Sequence, residues 1–378
     1  MIYLDNAATT KPFPEVVAIV NNTLTKVWGN ANSPYLLGRE ANQVVCDCRK
    51  RLAETIGADT EEIYFTSGGS EANSWAIKGF DGYKIITTPI EHHSILNAIK
   101  DKDVYYLSVN NIGLIDLREL RRVLEVEKKP CLVSIQYVNN ETGVCQDIYN
   151  IGKICKEYGA IFHTDAVQAY SHFCYYIDVD HLKIDMMSVS GHKFGAPTGI
   201  GFLYVRKGID IKPLINGGEQ NFGLRGGTDN VAYIKGMCLA AEIIYENHSR
   251  DYHHIHTLQC HLIDKLYDSI KLFKTSPINL THGIVSITIS GMDAAGLIEY
   301  LSLKEIYISS GSACSSNSGE PSHVLKAIGY SNEDAASTIR VSFSADNTHE
   351  ETDTFIDTVI EYLKLTCPEQ VIDKTELT

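Results

Sequence analysis

The 378-residue sequence predicts an α/β protein with a large, mostly parallel-sheet domain and a smaller α+β domain. Three observations predict it. From Lys84 to Val205 short apolar runs alternate with helical patterns, as strands buried on both faces and separated by helices do. A mostly helical tract then runs from about Asn230 to Phe273, and beyond it strands and helices follow in a different order. The length also exceeds what one hydrophobic core usually serves, so the chain is expected to divide. The expected boundaries are residues 14–250 for the large domain, and residues 1–13 with 251–378 for the small one.

In chain order, Ala41, Val44, Val45, Cys48 and Leu52 recur at helical spacing and Gly57 supplies a stop, which predicts a helix with Cys48 inward and Cys46 outward. The strand "EIYF" then leads through "TSGGSEAN" (Thr66 to Asn73) into a helix. The strands "KIITT", "VYYLSV", "CLVSIQYV", "AIFHTDAV", "DMMSVS" and "GIGFLYV" follow, with helices such as "DLRELRRVLEVE" and "DIYNIGKICKEYG" between them. The small domain is predicted from strand "GIVSITI", helix "DAAGLIEYLSLKE", a Ser/Gly-rich loop, helix "SHVLKAIG", strand "TIRVSFS" and helix "EETDTFIDTVIEYLKL".

Composition narrows the function. Hydrophobic residues at 44% and charged residues at 21% are those of a globular protein. The 33 basic and 47 acidic residues give a net charge of -14, which disfavours nucleic-acid binding. The start "MIYLDNAATTKPFPE" lacks the basic-then-apolar order of a signal peptide and no stretch is long enough to span a bilayer, so no membrane association and a cytoplasmic location are expected. Ten cysteines in such a chain are expected as reduced thiols. "EHH" at Glu91 to His93 has no further ligand at metal-binding spacing, so no metal is expected.

Several residues stand where chemistry is possible. Lys193, in "SGHKFGAPTGIG", follows a buried-type strand; a lysine there is usually a solvated charge, but beside an apolar wall it can form a Schiff base with a carbonyl. Asp165, in "HTDAVQ", sits at another strand's carboxyl end, where α/β sheets collect ligands. Alone it can be a cap; with a Schiff-base lysine it can hold the pyridine nitrogen of pyridoxal 5'-phosphate (PLP) protonated, and Gln168 can reach that ring's phenolic oxygen. Gly68, Gly69 and Ser70 open a helix, either as a plain cap or as an anion cradle. No Walker A and no GxGxxG pattern occurs.

His92 follows a strand end, as a structural hydrogen bonder or as a face that stacks on a ring. Asn139, Asn140 and Glu141 are turn formers or polar contacts to a ligand. Arg340 lies on a predicted strand, where an arginine is costly to bury unless it holds a carboxylate. Cys314, in "SSGSACSSNSGEP", stands in a Ser/Gly/Asn setting that removes the usual packing reason for a cysteine.

Taken in order, these segments resemble the cysteine desulfurases, PLP enzymes of the class V aminotransferase group within fold type I. The match runs nearly end to end, from "YLDNAATT" through "FTSGGSEAN", "EHH", "VNNETGVCQDI", "HTDAVQ", "SVSGHKFGAPTGIGFLYV" and "RGGTDN" to "SSGSACSS" and "STIRVS". The resemblance implies that Lys193 forms the Schiff base with PLP and then serves as general base, that Asp165 pairs with the pyridine nitrogen, and that Gln168 bonds the phenolic oxygen. It implies that His92 stacks on the ring and that Gly69, Ser70, Ser190 and His192 hold the phosphate, joined in a homodimer by Thr228 of the partner subunit. Asn140 and Arg340 would fix the carboxylate of L-cysteine, and Cys314, on a mobile loop at about residues 309–321, would take the sulfur as a persulfide for an acceptor protein, assisted by a nearby histidine, such as His323 of the same segment, or by the substrate's own groups.

Departures bear on the details. Gly69-Ser70 stands where Ala-Thr is common, and Phe194 and Ala196 vary the region after the lysine. The segment Cys314 to Pro321 is long enough to resemble members that deliver sulfur directly to partners, whereas "CPEQVIDKTELT" does not resemble the tail that docks an iron-sulfur scaffold. A selenocysteine lyase or a class V aminotransferase shares the fold, but a transaminase does not require Cys314. A non-catalytic sulfur carrier requires grouped cysteines and no cofactor.

Overall fold

A two-residue strand, β1 (Ile2–Tyr3), opens the chain, and the helices α1 (Pro14–Lys26) and α2 (Leu36–Glu54) follow. In α2 the residues Ala41, Val45, Cys48 and Leu52 form the buried stripe that their spacing predicts, and Cys46 is exposed. The structure, a computed structural model, describes residues 1–173, 177–277, 283–310 and 321–372. Cys314 and residues 311–320 of its predicted loop therefore lie outside the described residues.

The apolar runs of the first half form β2 (Ile63–Thr66), β3 (Lys84–Thr87), β4 (Asp103–Tyr106), β5 (Cys131–Ser134), β6 (Ile161–Asp165), β7 (Met186–Ser190) and β8 (Gly201–Val205). They pair in the order β2-β8-β7-β6-β5-β3-β4. Strands β5, β7 and β8 are buried along their whole length, as strands covered by helices on both faces must be. Between the strands lie α3 (Gly69–Lys78), α4 (His93–Ala98), α5 (Leu117–Val126) and α6 (Ile148–Glu157). Asp116 caps α5 by accepting from the Arg118 N–H at 2.8 Å.

Strand β8 runs antiparallel to both β7 and β2, whereas the other pairs are parallel. Apolar patterning specifies burial but not direction, so the sequence did not reveal this reversal. The register aligns the strand ends: Thr66 and Ser190 both pair with Gly201, and Asp165 pairs with Ser188. The residues that follow β2, β3, β5, β6 and β7 therefore emerge along one edge of the sheet, where open α/β sheets bind ligands.

Helix α7 (Val231–Tyr267) has 37 residues and is roughly 55 Å long at the usual rise per residue. Its Ile244 packs in the core around the large sheet and its Ile255 in a second core. The predicted helical tract ends earlier than Phe273, because Phe273 to Thr275 alternate across a strand instead. That strand, β9 (Phe273–Thr275), pairs with β10 (Ile284–Ile289), placing Phe273 opposite Ile289.

The second core is built on the sheet β12-β13-β10-β9, with β12 (Ser309–Ser310) and β13 (Thr338–Ser342). Helices α8 (Ala294–Leu303) and α11 (His349–Thr366) complete it, whereas α9 (His323–Ala327) packs with Ile90 in a separate small cluster against which Ala335 of α10 (Asn332–Ala336) lies. A capping box fixes the start of α11: the Glu351 N–H donates to Thr348 Oγ1 at 3.1 Å, and the Thr348 N–H donates to Glu351 Oε2 at 3.2 Å. Strand β1 pairs parallel with β11 (Ile306–Tyr307), and Leu4 packs in the second core while Ala7 packs in the first. Among the described residues no helix is long and apolar enough to cross a membrane.

Candidate active site

A cavity of about 480 Å³ opens at the carboxyl edge of the large sheet. Gly69, Ser70, His92, Asn140, Asp165 and Gln168 line it, and so do Ser190, His192, Lys193 and Arg340. Gly68, Asn139, Glu141 and His323 do not line it, but the residues expected to hold cofactor, substrate or sulfur converge on this one space with two exceptions. Thr228 is exposed and does not line the cavity of its own chain, and Cys314 is not described.

Lys193 ends a single helical turn that follows β7. Its ammonium donates to the carbonyls of Ala7 and Ala8, both at 2.7 Å. These two bonds hold the amine against the segment that carries Ala7 and Ala8. The segment "DNAATT" therefore supplies part of the cavity wall.

Asp165 is 7% exposed at the end of β6. Its Oδ2 accepts from Asn73 Nδ2 at 2.6 Å and its Oδ1 from the Val167 N–H at 3.0 Å. The same Asn73 nitrogen donates to Ser94 Oγ at 2.9 Å, and Ser94 Oγ lies 2.7 Å from His92 Nδ1. The Ser94 backbone N–H also donates to His92 Nδ1, at 3.1 Å. Because an N–H points at it, Nδ1 must be the unprotonated nitrogen, which leaves the imidazole proton on Nε2. Burial lowers the His92 pKa and favours this neutral ring. Helix α3 thereby sets both the carboxylate and the histidine. Sequence reasoning missed Asn73 and Ser94; the available signal was that Asn73 lies one helical turn beyond Gly69 and Ser70, on the face that meets the sheet edge.

The first turn of α3 faces Ser190 and His192. At Gly69 a Cβ would lie 2.6 Å from Val167 Cγ2, so a side chain there would have to displace the residues beside Asp165. Free N–H groups at this helix start, with the hydroxyls of Ser70 and Ser190, make an anion-binding concavity. Burial, with the charge of Lys193, pushes the His192 pKa down to about 4, so the ring is a neutral contact. Glu71 in the same turn holds Arg225 through two bonds of 2.8 and 3.0 Å, which tethers the segment leading to Thr228.

Arg340 is 2% exposed on β13. Its Nη1 donates to the Asn140 carbonyl at 2.8 Å and its Nη2 to Asp5 Oδ1 at 2.7 Å. The carboxylate that justifies its burial is thus Asp5 of the same chain, a residue to which the sequence assigned no role. Gln168 Nε2 donates to the Ala7 carbonyl at 2.9 Å, while its Oε1 is buried without a partner among the described residues. His323 lies with its ring 4.6 Å from His93 and its Nε2 3.0 Å from the Glu91 carbonyl oxygen. Among the described residues no group of three or more His, Cys, Asp or Glu side chains is placed to hold a metal ion.

Comparison with known proteins bears on this geometry. The sequence profile of the family "Aminotransferase class-V" matches residues 2–355. Over 378 aligned residues the chain is 39% identical to the cysteine desulfurase IscS of Methanosarcina thermophila, covering 96% of this chain and 92% of that one. A solved NifS-like protein superposes with a TM-score of 0.89 at 33% identity, covering 96% of this chain and 99% of the other. SspA, solved in complex with cysteine, superposes with a TM-score of 0.80 at 32% identity, covering 92% of this chain and all of that one at 100%.

Proposed function

This chain belongs to the aminotransferase class-V family, and from that premise we propose that it is a cysteine desulfurase. It converts L-cysteine to L-alanine and transfers the sulfur to an enzyme thiol, which becomes a persulfide; Cys314 is the proposed acceptor. The observation that carries this reading is the convergence of Lys193, Asp165 and Arg340 on one cavity: an amine, an anion and a carboxylate receptor.

The donor set fits PLP. An anion-binding helix start lies at one end of the cavity, a buried carboxylate on its floor and an amine beside both, and the orphaned Gln168 amide oxygen marks space for a polar partner. When bound, PLP supplies a carbonyl that condenses with amines and a ring that accepts the electron pair left at a deprotonated Cα. Ser70, Ser190, His192 and the Gly69 N–H would hold its phosphate, with Thr228 of the partner subunit completing the cradle in a homodimer. Asp165, aimed by Asn73, would hold the pyridine nitrogen protonated, and Gln168 would face the phenolic oxygen.

The remaining work belongs to side chains of this protein. His92, neutral and fixed by Ser94, offers its imidazole face to a planar ring. Arg340 and Asn140 orient the substrate carboxylate. Lys193, freed from Ala7 and Ala8, removes the Cα proton; such proton transfers contribute about 10²- to 10⁴-fold. The Cys314 thiolate then attacks the substrate sulfur, the Cβ–S bond breaks, and its electron pair remains with the carbon that becomes alanine. The sulfur passes to an acceptor protein in the cytoplasm. We also propose that residues 14–250 form the PLP-binding domain and residues 1–13 with 251–378 the smaller domain that carries the loop of Cys314.

The test supplies PLP, L-cysteine and a reductant to the purified protein. Alanine and sulfide are expected in equal amounts, with neither formed by Lys193→Ala. Undiminished alanine from that variant would overturn the reading.

A further inference from the structure

Arg340 is held in an unusual way for a residue that receives a ligand. Nη2 is taken by Asp5 and Nη1 by the Asn140 carbonyl, yet Nε is buried with no partner among the described residues. An unpaired N–H on a nearly fully buried guanidinium costs stability unless a ligand fills it. The second oxygen of Asp5, Oδ2, accepts from Ser309 Oγ at 2.7 Å. Ser309 and Arg340 are cross-strand partners of β12 and β13, so one carboxylate spans the pair.

The backbone around Asp5 is equally fixed. Asp5 bridges Ser342, the Leu4 N–H donates to the Tyr307 carbonyl at 2.9 Å, and the Ser342 N–H donates to the Leu4 carbonyl at 2.8 Å. A carboxylate so close to a subsite for another carboxylate repels that ligand. Its placement is therefore explained by what it does to the arginine.

We propose that Asp5 is a positioning residue for the substrate's carboxylate subsite: anchored by Ser309, it pins Nη2 and so fixes the orientation in which the guanidinium lines the cavity. The inference rests on the reading that Arg340 receives the substrate carboxylate. Without Asp5 the guanidinium swings about its last torsions, and each encounter with substrate must first order it. The loss falls on binding, whereas the proton transfer at Lys193 is untouched.

The experiment uses the holoenzyme and two readouts. One is the KM and kcat for L-cysteine; the other is competitive inhibition by 3-mercaptopropionate, which keeps the thiol and carboxylate but has no amine. Asp5→Ala is expected to raise both KM and the inhibition constant roughly tenfold, as loss of one charged hydrogen bond does, with kcat within about threefold. Asp5→Asn, which keeps an oxygen toward Arg340, should recover most of the loss. Ser309→Ala, a milder change that frees Asp5 on one side, should raise both constants by about threefold and keeps the test open if Asp5→Ala fails to fold. Asp5→Ala combined with Arg340→Ala should be no worse than Arg340→Ala alone. If Arg340→Ala raises both constants while neither Asp5→Ala nor Ser309→Ala does, Asp5 has no positioning role. If Arg340→Ala itself leaves both unchanged, the carboxylate reading of Arg340 falls, and the role of Asp5 with it.

Discussion

Asn73 Nδ2 and Asp165 Oδ2 lie 2.6 Å apart, which joins the helix that opens the anion cradle to the strand end that carries the cavity's carboxylate. One amide thereby aligns two subsites that a planar cofactor must meet at once. Hydrogen bonds to charged groups contribute about 1.5–3 kcal/mol, so Asn73→Ala is expected to weaken PLP retention by roughly 10- to 100-fold. Equilibrium titration of the apo-protein with PLP, followed by visible absorption, checks this. Asn73→Asp should be worse, because it sets a second carboxylate beside Asp165.

Lys193→Ala removes the amine and is expected to lower turnover by roughly 10³-fold or more while leaving the fold intact. Ala7 and Ala8 lose a shared donor, but the Ala7 carbonyl keeps its bond from Gln168 Nε2, so the cost in stability should be near 1 kcal/mol. Visible absorption and chemical denaturation separate the two effects. Turnover near that of the unaltered protein would remove Lys193 from the chemistry.

The parts of this architecture that depend on burial period and strand ends were legible in the sequence. Strands β3 and β5 to β8 fall inside the apolar runs, β4 starts one residue before its run, Asp165 ends β6, and Lys193 and His92 follow strand ends as expected. What could not be read were pairings between distant segments. Nothing in "YLDNAATT" indicates that Asp5 meets Arg340, 335 positions later, or that Ala7 and Ala8 meet Lys193 through their backbone. Backbone carbonyls carry no residue-type signal, and tertiary contacts have no period. Glu91 and Glu141 were equally hidden, because a carboxylate looks exposed in a sequence until its burial is seen.

Arg225 and Glu71 form a pair with two bonds, and both side chains are largely shielded from water. Removing one partner of such a pair leaves the other charge buried, typically at about 3–5 kcal/mol. Arg225→Ala is therefore expected to lower the denaturation midpoint and, by releasing the segment before Thr228, to weaken PLP binding. Arg225→Lys should rescue only in part, since a lysine cannot make both bonds. Unfolding curves that match the unaltered protein would show that the tether carries no stability.

Glu91 is fully buried behind His92, where it accepts from Thr88 Oγ1 at 2.7 Å and from the Gln136 N–H at 3.0 and 3.1 Å. Burial, opposed by these donors and reinforced by the charge of Asp165, pushes its pKa from 4.5 up to about 8. Between those values the folded protein holds a proton that the unfolded chain has lost. The contribution to stability is thus complete below pH 4.5 and is lost as pH rises through about 8, at about 1.4 kcal/mol per pH unit for the single proton. Glu91→Gln keeps the shape and an acceptor oxygen but cannot ionise. Its stability should fall less steeply with pH over that window, so that it gains on the unaltered protein as the solution becomes more alkaline. The buried histidines slope the other way: His163, pushed down to about 3, and His192, at about 4, cost stability as pH falls. They are common to both proteins and cancel in the difference. Urea unfolding at several pH values decides the matter, and parallel curves for the two proteins would mean that Glu91 does not hold the proton.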